Sequence, residues 1–262
     1  MAEARRQCAR KLGFFDAGIW LGTPVGYPLA EELKPERLRD ALSRGFLRGG
    51  LVSHWRGATI SAQEGNLALE SILPDLPDET YVVWTGLPLY PAEPGPLPLP
   101  GQGKMPDKVR GVRIFPKSHG FPLTDWMIGP LCEWMIERRL PLFIRHVELD
   151  WCSLRALTRG FPKLKIIVET QTQKILYHTR PLLALLRDCP NLLVETSNFA
   201  GAGLLAYAVR QCGAERFIFE SFQPMNDPLV SVGGVLDADI SETEKAMIAG
   251  GNLSALVNEV RS

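Results

Sequence analysis

The chain has 262 residues, 45% of them apolar, enough to bury a sizeable core. Its 29 basic and 29 acidic side chains cancel, so it carries no electrostatic footprint for nucleic acid. No apolar run approaches the roughly 20 residues of a membrane-spanning helix, and the charged start lacks the apolar segment of a signal peptide. Five dispersed cysteines without a CxxC pair read as free thiols, which makes the cytoplasm the expected location.

In chain order, eight apolar runs separated by turn signals are predicted strands: residues 13–17, 51–54, 81–85, 111–115, 142–146, 165–169, 192–195 and 216–220. Several, such as Tyr81-Val82-Val83-Trp84, are continuously apolar, as strands covered on both sides should be. Helical periodicity fills most intervals, at 31–46, 126–138, 181–186, 204–209 and 242–256. The interval 88–108 holds Pro91, Pro94, Pro96, Pro98 and Pro100, which forbids a regular helix and predicts a long extended connection. Eight strands alternating with helices predict an α/β fold, a closed (β/α)8 TIM-like barrel forming one domain over 1–262. The segment around Asn252 is expected to pack beneath or beside that barrel.

Several stretches together resemble the amidohydrolase-related (amidohydrolase 2) family of metal-dependent hydrolases and decarboxylases. They include Gly111-Val112-Arg113-Ile114-Phe115-Pro116, Pro190-Asn191-Leu192-Leu193-Val194-Glu195 and Gly213-Ala214-Glu215-Arg216-Phe217-Ile218-Phe219, with Ile248-Ala249-Gly250-Gly251-Asn252 near the end. The resemblance runs from about residue 13 to 257 and implies a distorted barrel of the metal-dependent-hydrolase type with zinc or manganese at the strand ends. The family's ligand positions are changed, however. Its opening Asp-x-His-x-His reads Asp16-Ala17-Gly18-Ile19-Trp20, and its two later histidines correspond to Arg145 and Thr170. Its final aspartate corresponds to Phe222. Glycine supplies no ligand, phenylalanine no lone pair, indole only a donor, and arginine stays cationic. The resemblance therefore implies the fold, while its metal site should be absent and no cofactor is expected.

Strand ends in this architecture converge on one face, which makes Asp16, Arg145, His146, Glu169 and Glu220 the candidate site residues. Arg145 either binds an anion bidentately or pairs with Glu169 or Glu220 in place of a metal's charge. His146 is an acid–base candidate, although regular alternation with Arg145 would turn one of the two away. Asp16 is either a general base or a brace for the first strand–helix loop. Trp20 either fills the vacated volume or stacks on an organic ligand. A new metal site from His54, His119 or His146 with Glu148, Glu169 or Glu220 has suitable ligand types but no compact histidine pair. Three functions stay open: a barrel without the family's hydrolytic mechanism, a non-catalytic subunit, or a metal-independent hydrolase or lyase. The non-catalytic subunit would bind a small organic or anionic ligand or join an active paralogue. A homodimer is also expected, with no nucleic-acid or membrane partner.

Overall fold

A computed structural model describes residues 2–88, 105–170, 179–199 and 201–261. Most of the proline-rich interval predicted as an extended connection lies outside these residues, as does His178. The strands are β1 (Phe14–Leu21), β2 (Leu47–His54), β3 (Thr80–Thr85), β4 (Val109–Ile114), β5 (Leu142–Arg145), β6 (Ile166–Glu169), β7 (Leu192–Glu195) and β8 (Phe217–Ile218). They form one parallel sheet in sequential order from β1 to β8. The Ala17 and Trp20 amides complete the ring by donating to the Phe219 and Gln223 carbonyls, at 3.0 and 2.9 Å.

Helices cover the outside: α1 (Ala2–Leu12), α2 (Leu38–Arg44), α3 (Trp55–Thr59), α4 (Ala62–Glu70), α5 (Asp125–Arg138), α6 (Trp151–Gly160), α7 (Thr179–Asp188), α8 (Leu204–Cys212), α9 (Pro228–Leu236), α10 (Glu242–Ala246) and α11 (Asn252–Asn258). The helix expected over 31–46 is shorter. Pro35 sits at the start of a 3-10 turn, and the Leu33 carbonyl accepts from the Gly22 amide instead of feeding a helix. The one expected over 242–256 is divided by a π turn at Met247–Gly251. β1 runs past its expected end at Ala17, because a register shift between Asp16 and Ile19 lets the strand continue to Leu21.

Side-chain alternation fixes what fills the ring. Phe15, Leu51, Val83, Phe143, Ile167, Leu193 and Ile218 form one buried apolar cluster, closed from below by Leu253 and Val257 of α11. The expectation for Asn252 therefore resolves to packing beneath the barrel, where its amide donates to the Ala214 and Phe217 carbonyls at 2.8 Å each. β4 contributes Gly111 to this level, since a Cβ there would lie 2.7 Å from Phe143 Cε2. Two residues further along each strand the character changes: Ser53, Thr85, Arg113, Arg145, Glu169, Glu195 and Glu220 stand one step nearer the carboxyl ends.

Candidate functional site

The carboxyl groups and Arg113 at this level are closed to solvent. Asp16, Glu169, Glu195 and Glu220 have 0% exposure and Arg113 has 1%, while Arg145 is half-buried at the edge. Buried charges persist only when paired or neutralised. Arg113 is the pairing cation. Its Nε donates to both Glu169 oxygens at 3.0 Å, one Nη donates to Glu169 and the other to Ser53 Oγ. Trp20 covers its plane, with the guanidinium carbon 4.5 Å from the ring centroid, and Phe143 lies 5.3 Å away on the apolar side.

Asp16 is a brace. It accepts from the Gly18 amide at 3.1 Å, the Ser221 amide at 2.9 Å, the Ser221 hydroxyl and Gln223 Nε2, tying the first strand to the segment after the last. Burial raises its pKa against these donors, which act in the opposite direction. Glu195 accepts from the Thr170 amide and hydroxyl and from the Ser197 amide, yet burial carries it up to about 7. Glu220 is raised further from the ordinary carboxylate range, first by burial and then by the charges of Glu195 and Glu169. Its carboxyl group lies where a side chain on residue 18 would begin: a Cβ on Gly18 would fall inside its van der Waals radius.

Above the ring sits an aromatic cap of Trp20, Trp55, Phe115 and Phe222, all buried. Trp20 and Trp55 rings lie 4.6 Å apart, and Phe222 meets Trp20 edge-on at 6.4 Å. Of the two roles open to Trp20, the structure supports filling of the vacated volume. Tyr27 joins from the loop after β1, 5.5 Å from Phe222, with Arg145 near enough for its charge to act on the phenol.

Several expectations are corrected here. Glu169 is taken by Arg113 and not by Arg145, because Arg113 lies deeper in the ring while Arg145 ends β5 at the rim. His146 and Arg145 do not alternate across a strand, since a 3-10 turn begins at His146. His146 is buried with Nδ1 donating to the Glu169 carbonyl at 3.1 Å. His54 Nδ1 accepts from the Arg56 amide at 3.1 Å, capping α3, and Glu148 accepts from the Ser118 amide and hydroxyl at 2.8 and 2.5 Å. Burial lowers the pKa of both His54 and His119. Arg113 was not among the sequence candidates. Its position two residues beyond Gly111, level with Glu169 beyond Ile167, was the available signal.

The family's metal does not fit these residues. A four-ligand ion needs converging nitrogen, sulfur or carboxylate donors. Here the first-strand positions are empty of donors at Gly18 and apolar at Trp20, and a guanidinium holds the most central carboxylate. Among the described residues, no group of three or more His, Cys, Asp or Glu side chains is arranged to hold a metal.

No family model and no curated protein matches the chain. Solved structures do. An amidohydrolase from Burkholderia multivorans with bound zinc aligns with TM-score 0.68 at 13% identity, covering 94% of this chain and 99% of its own. Amidohydrolase 2 from Bifidobacterium longum subsp. infantis gives 0.67 at 15%, covering 94% and 98%. An uncharacterized TIM-barrel protein from Bordetella bronchiseptica gives 0.66 at 16%, covering 98% and 91%. The chain thus has the eight-stranded barrel fold of the amidohydrolase 2 structures.

Proposed function

We propose that this barrel does not use metal-activated water, and that it acts as a binding subunit for a small organic molecule or a partner chain. The observation that carries the reading is the buried Arg113–Glu169 pair under Trp20, with Glu220 filling the space beside Gly18. A bound ion supplies positive charge that lowers the pKa of water and stabilises developing anions. Arg113 supplies the positive charge but no Lewis acidity and no open coordination position. Metal-independent catalysis has less support, because Asp16 is committed to four donors and none of the four buried carboxyl groups meets solvent.

The test is turnover of a panel of esters, lactones and aromatic carboxylates, with the protein stripped by chelator and then supplied with Zn²⁺ or Mn²⁺. The expected result is no turnover that depends on either ion. Hydrolysis or decarboxylation restored by the ion and abolished by the chelator would overturn the reading. Self-association belongs to the same proposal, and a solution mass of only 29.1 kDa would reject a homodimer.

A further inference from the structure

A cavity of about 1150 Å³ opens on the flank of the barrel, between α1, the loop after β1, α2 and α9. Its lining residue Gln223 reaches Asp16, and Tyr27 stands between the cavity and the aromatic cap. We propose that this cavity binds an aliphatic monocarboxylate of fatty-acid type, which gives the binding role proposed above a place and a ligand class.

The body of the ligand is specified by the wall. Ala9, Leu33, Phe46, Val232 and Leu236 line the cavity, and its volume lies just above the roughly 300–1,000 Å³ of small-molecule sites, leaving room for a long chain. At its edge Leu29 is 97% exposed and Leu229 45%. Two of the eight exposed large apolar side chains among the described residues, Leu29 and Leu229, thus border this one opening, as on a surface that expects an apolar occupant.

The head group follows from the charges. Among the lining arginines, Arg5 is held by Asp237 at 2.5 Å and Arg37 lies 3.9 Å from Glu31. Arg44 has no ion pair among the described residues, and Arg6 has only Glu3 at 4.0 Å. Of the lining acids, Asp227 caps α9 through the Leu229 amide at 2.9 Å, leaving Glu32 and Asp40. Asp40 and Arg44 stand one helical turn apart without pairing. The lining is neutral overall, with Glu31, Glu32, Asp40 and Asp227 against four arginines, which leaves Arg44 to take a single negative charge and disfavours a phosphate dianion. Tyr27 adds a buried hydroxyl with no hydrogen-bond partner among the described residues.

Calorimetric titration with decanoate, and with decanol and decylamine as head-group controls, tests the proposal on the full chain. Decanoate should bind at least tenfold more tightly than either control, and Arg44→Ala should weaken it about tenfold. Gly233 lines the cavity, and a Cβ there meets nothing within 4 Å, so the side chain of Gly233→Leu starts in open space and projects into the cavity. That variant should keep or raise the melting temperature and abolish binding. The proposal fails if decanoate releases no heat, if decanol and decylamine bind equally well, or if Gly233→Leu binds unchanged. Metal-restored turnover alone would end the binding-subunit reading, and absent decanoate binding alone would end only this one.

Discussion

The two ends of the barrel interior are both filled, but by opposite means. Below, Phe15, Leu51, Val83, Phe143, Ile167, Leu193 and Ile218 pack with Leu253 and Val257, and no charge needs an answer. One step up, Glu169, Glu195, Glu220 and Arg113 are equally buried, as is Asp16 beside them; ion pairing and donated hydrogen bonds hold them, and burial raises the pKa of Asp16, Glu195 and Glu220. The lower level is stabilised by apolar burial, at about 25 cal/mol per Å². The upper level must first recover the desolvation of its charges, so its polar residues are weak contributors to stability and strong constraints on geometry.

The largest effect should come from breaking the upper pair on one side. Arg113→Met leaves Glu169 buried without its cation and should cost about 3–5 kcal/mol by denaturant unfolding, with the double variant Arg113→Met/Glu169→Met recovering most of it. If the single variant unfolds like the parent, Glu169 has another partner and the contrast between the two levels collapses. In the lower level, Leu253→Ala should cost about 2–5 kcal/mol by transfer and cavity terms, with no dependence on pH.

Gly18→Ala sharpens the claim that Glu220 occupies the side-chain space of residue 18. The added methyl collides with the Glu220 carboxyl and should cost about 1–3 kcal/mol, as overpacking does. Combining it with Glu220→Ala should give a double-mutant coupling that relieves the collision; additive losses would separate the two residues.

The smallest effect is a pH slope. Glu195 titrates near 4.5 in the unfolded chain and near 7 when folded, because burial favours its neutral form. Between those values the folded protein keeps a proton the unfolded chain has lost. The contribution is therefore fully present below pH 4.5 and is lost as pH rises through 7. Unfolding free energies measured across this window should fall with pH, and Glu195→Gln should make the fall shallower. Asp16 and Glu220 are shifted upward too and keep part of the slope. A parent protein whose stability rises across the window would contradict the protonated upper level.

Much of the fold was legible because alternation and continuous apolar runs mark barrel strands wherever register is regular. It failed where register is not: the shift between Asp16 and Ile19 hid the second half of β1, and Pro35 truncated a helix whose apolar spacing looked complete. The expectation that the metal site is absent rests on Gly18, Trp20 and Phe222, since side-chain chemistry alone denies ligands at those positions. Arg113 was not legible, because an arginine inside an apolar strand gains meaning only from what faces it across the ring. The flank cavity was invisible for the same reason, as α1, α2 and α9 are distant in sequence.

The central claim is that a buried guanidinium–carboxylate pair, and not a metal ion, occupies the carboxyl ends of the strands. Elemental analysis of gently purified protein, paired with anomalous diffraction at the zinc and manganese edges, tests it most directly. The account predicts no stoichiometric ion and no anomalous peak at the strand ends, with guanidinium density of Arg113 against Glu169. One tightly bound ion per chain, ligated by Asp16, His146, Glu169 or Glu220, would contradict it.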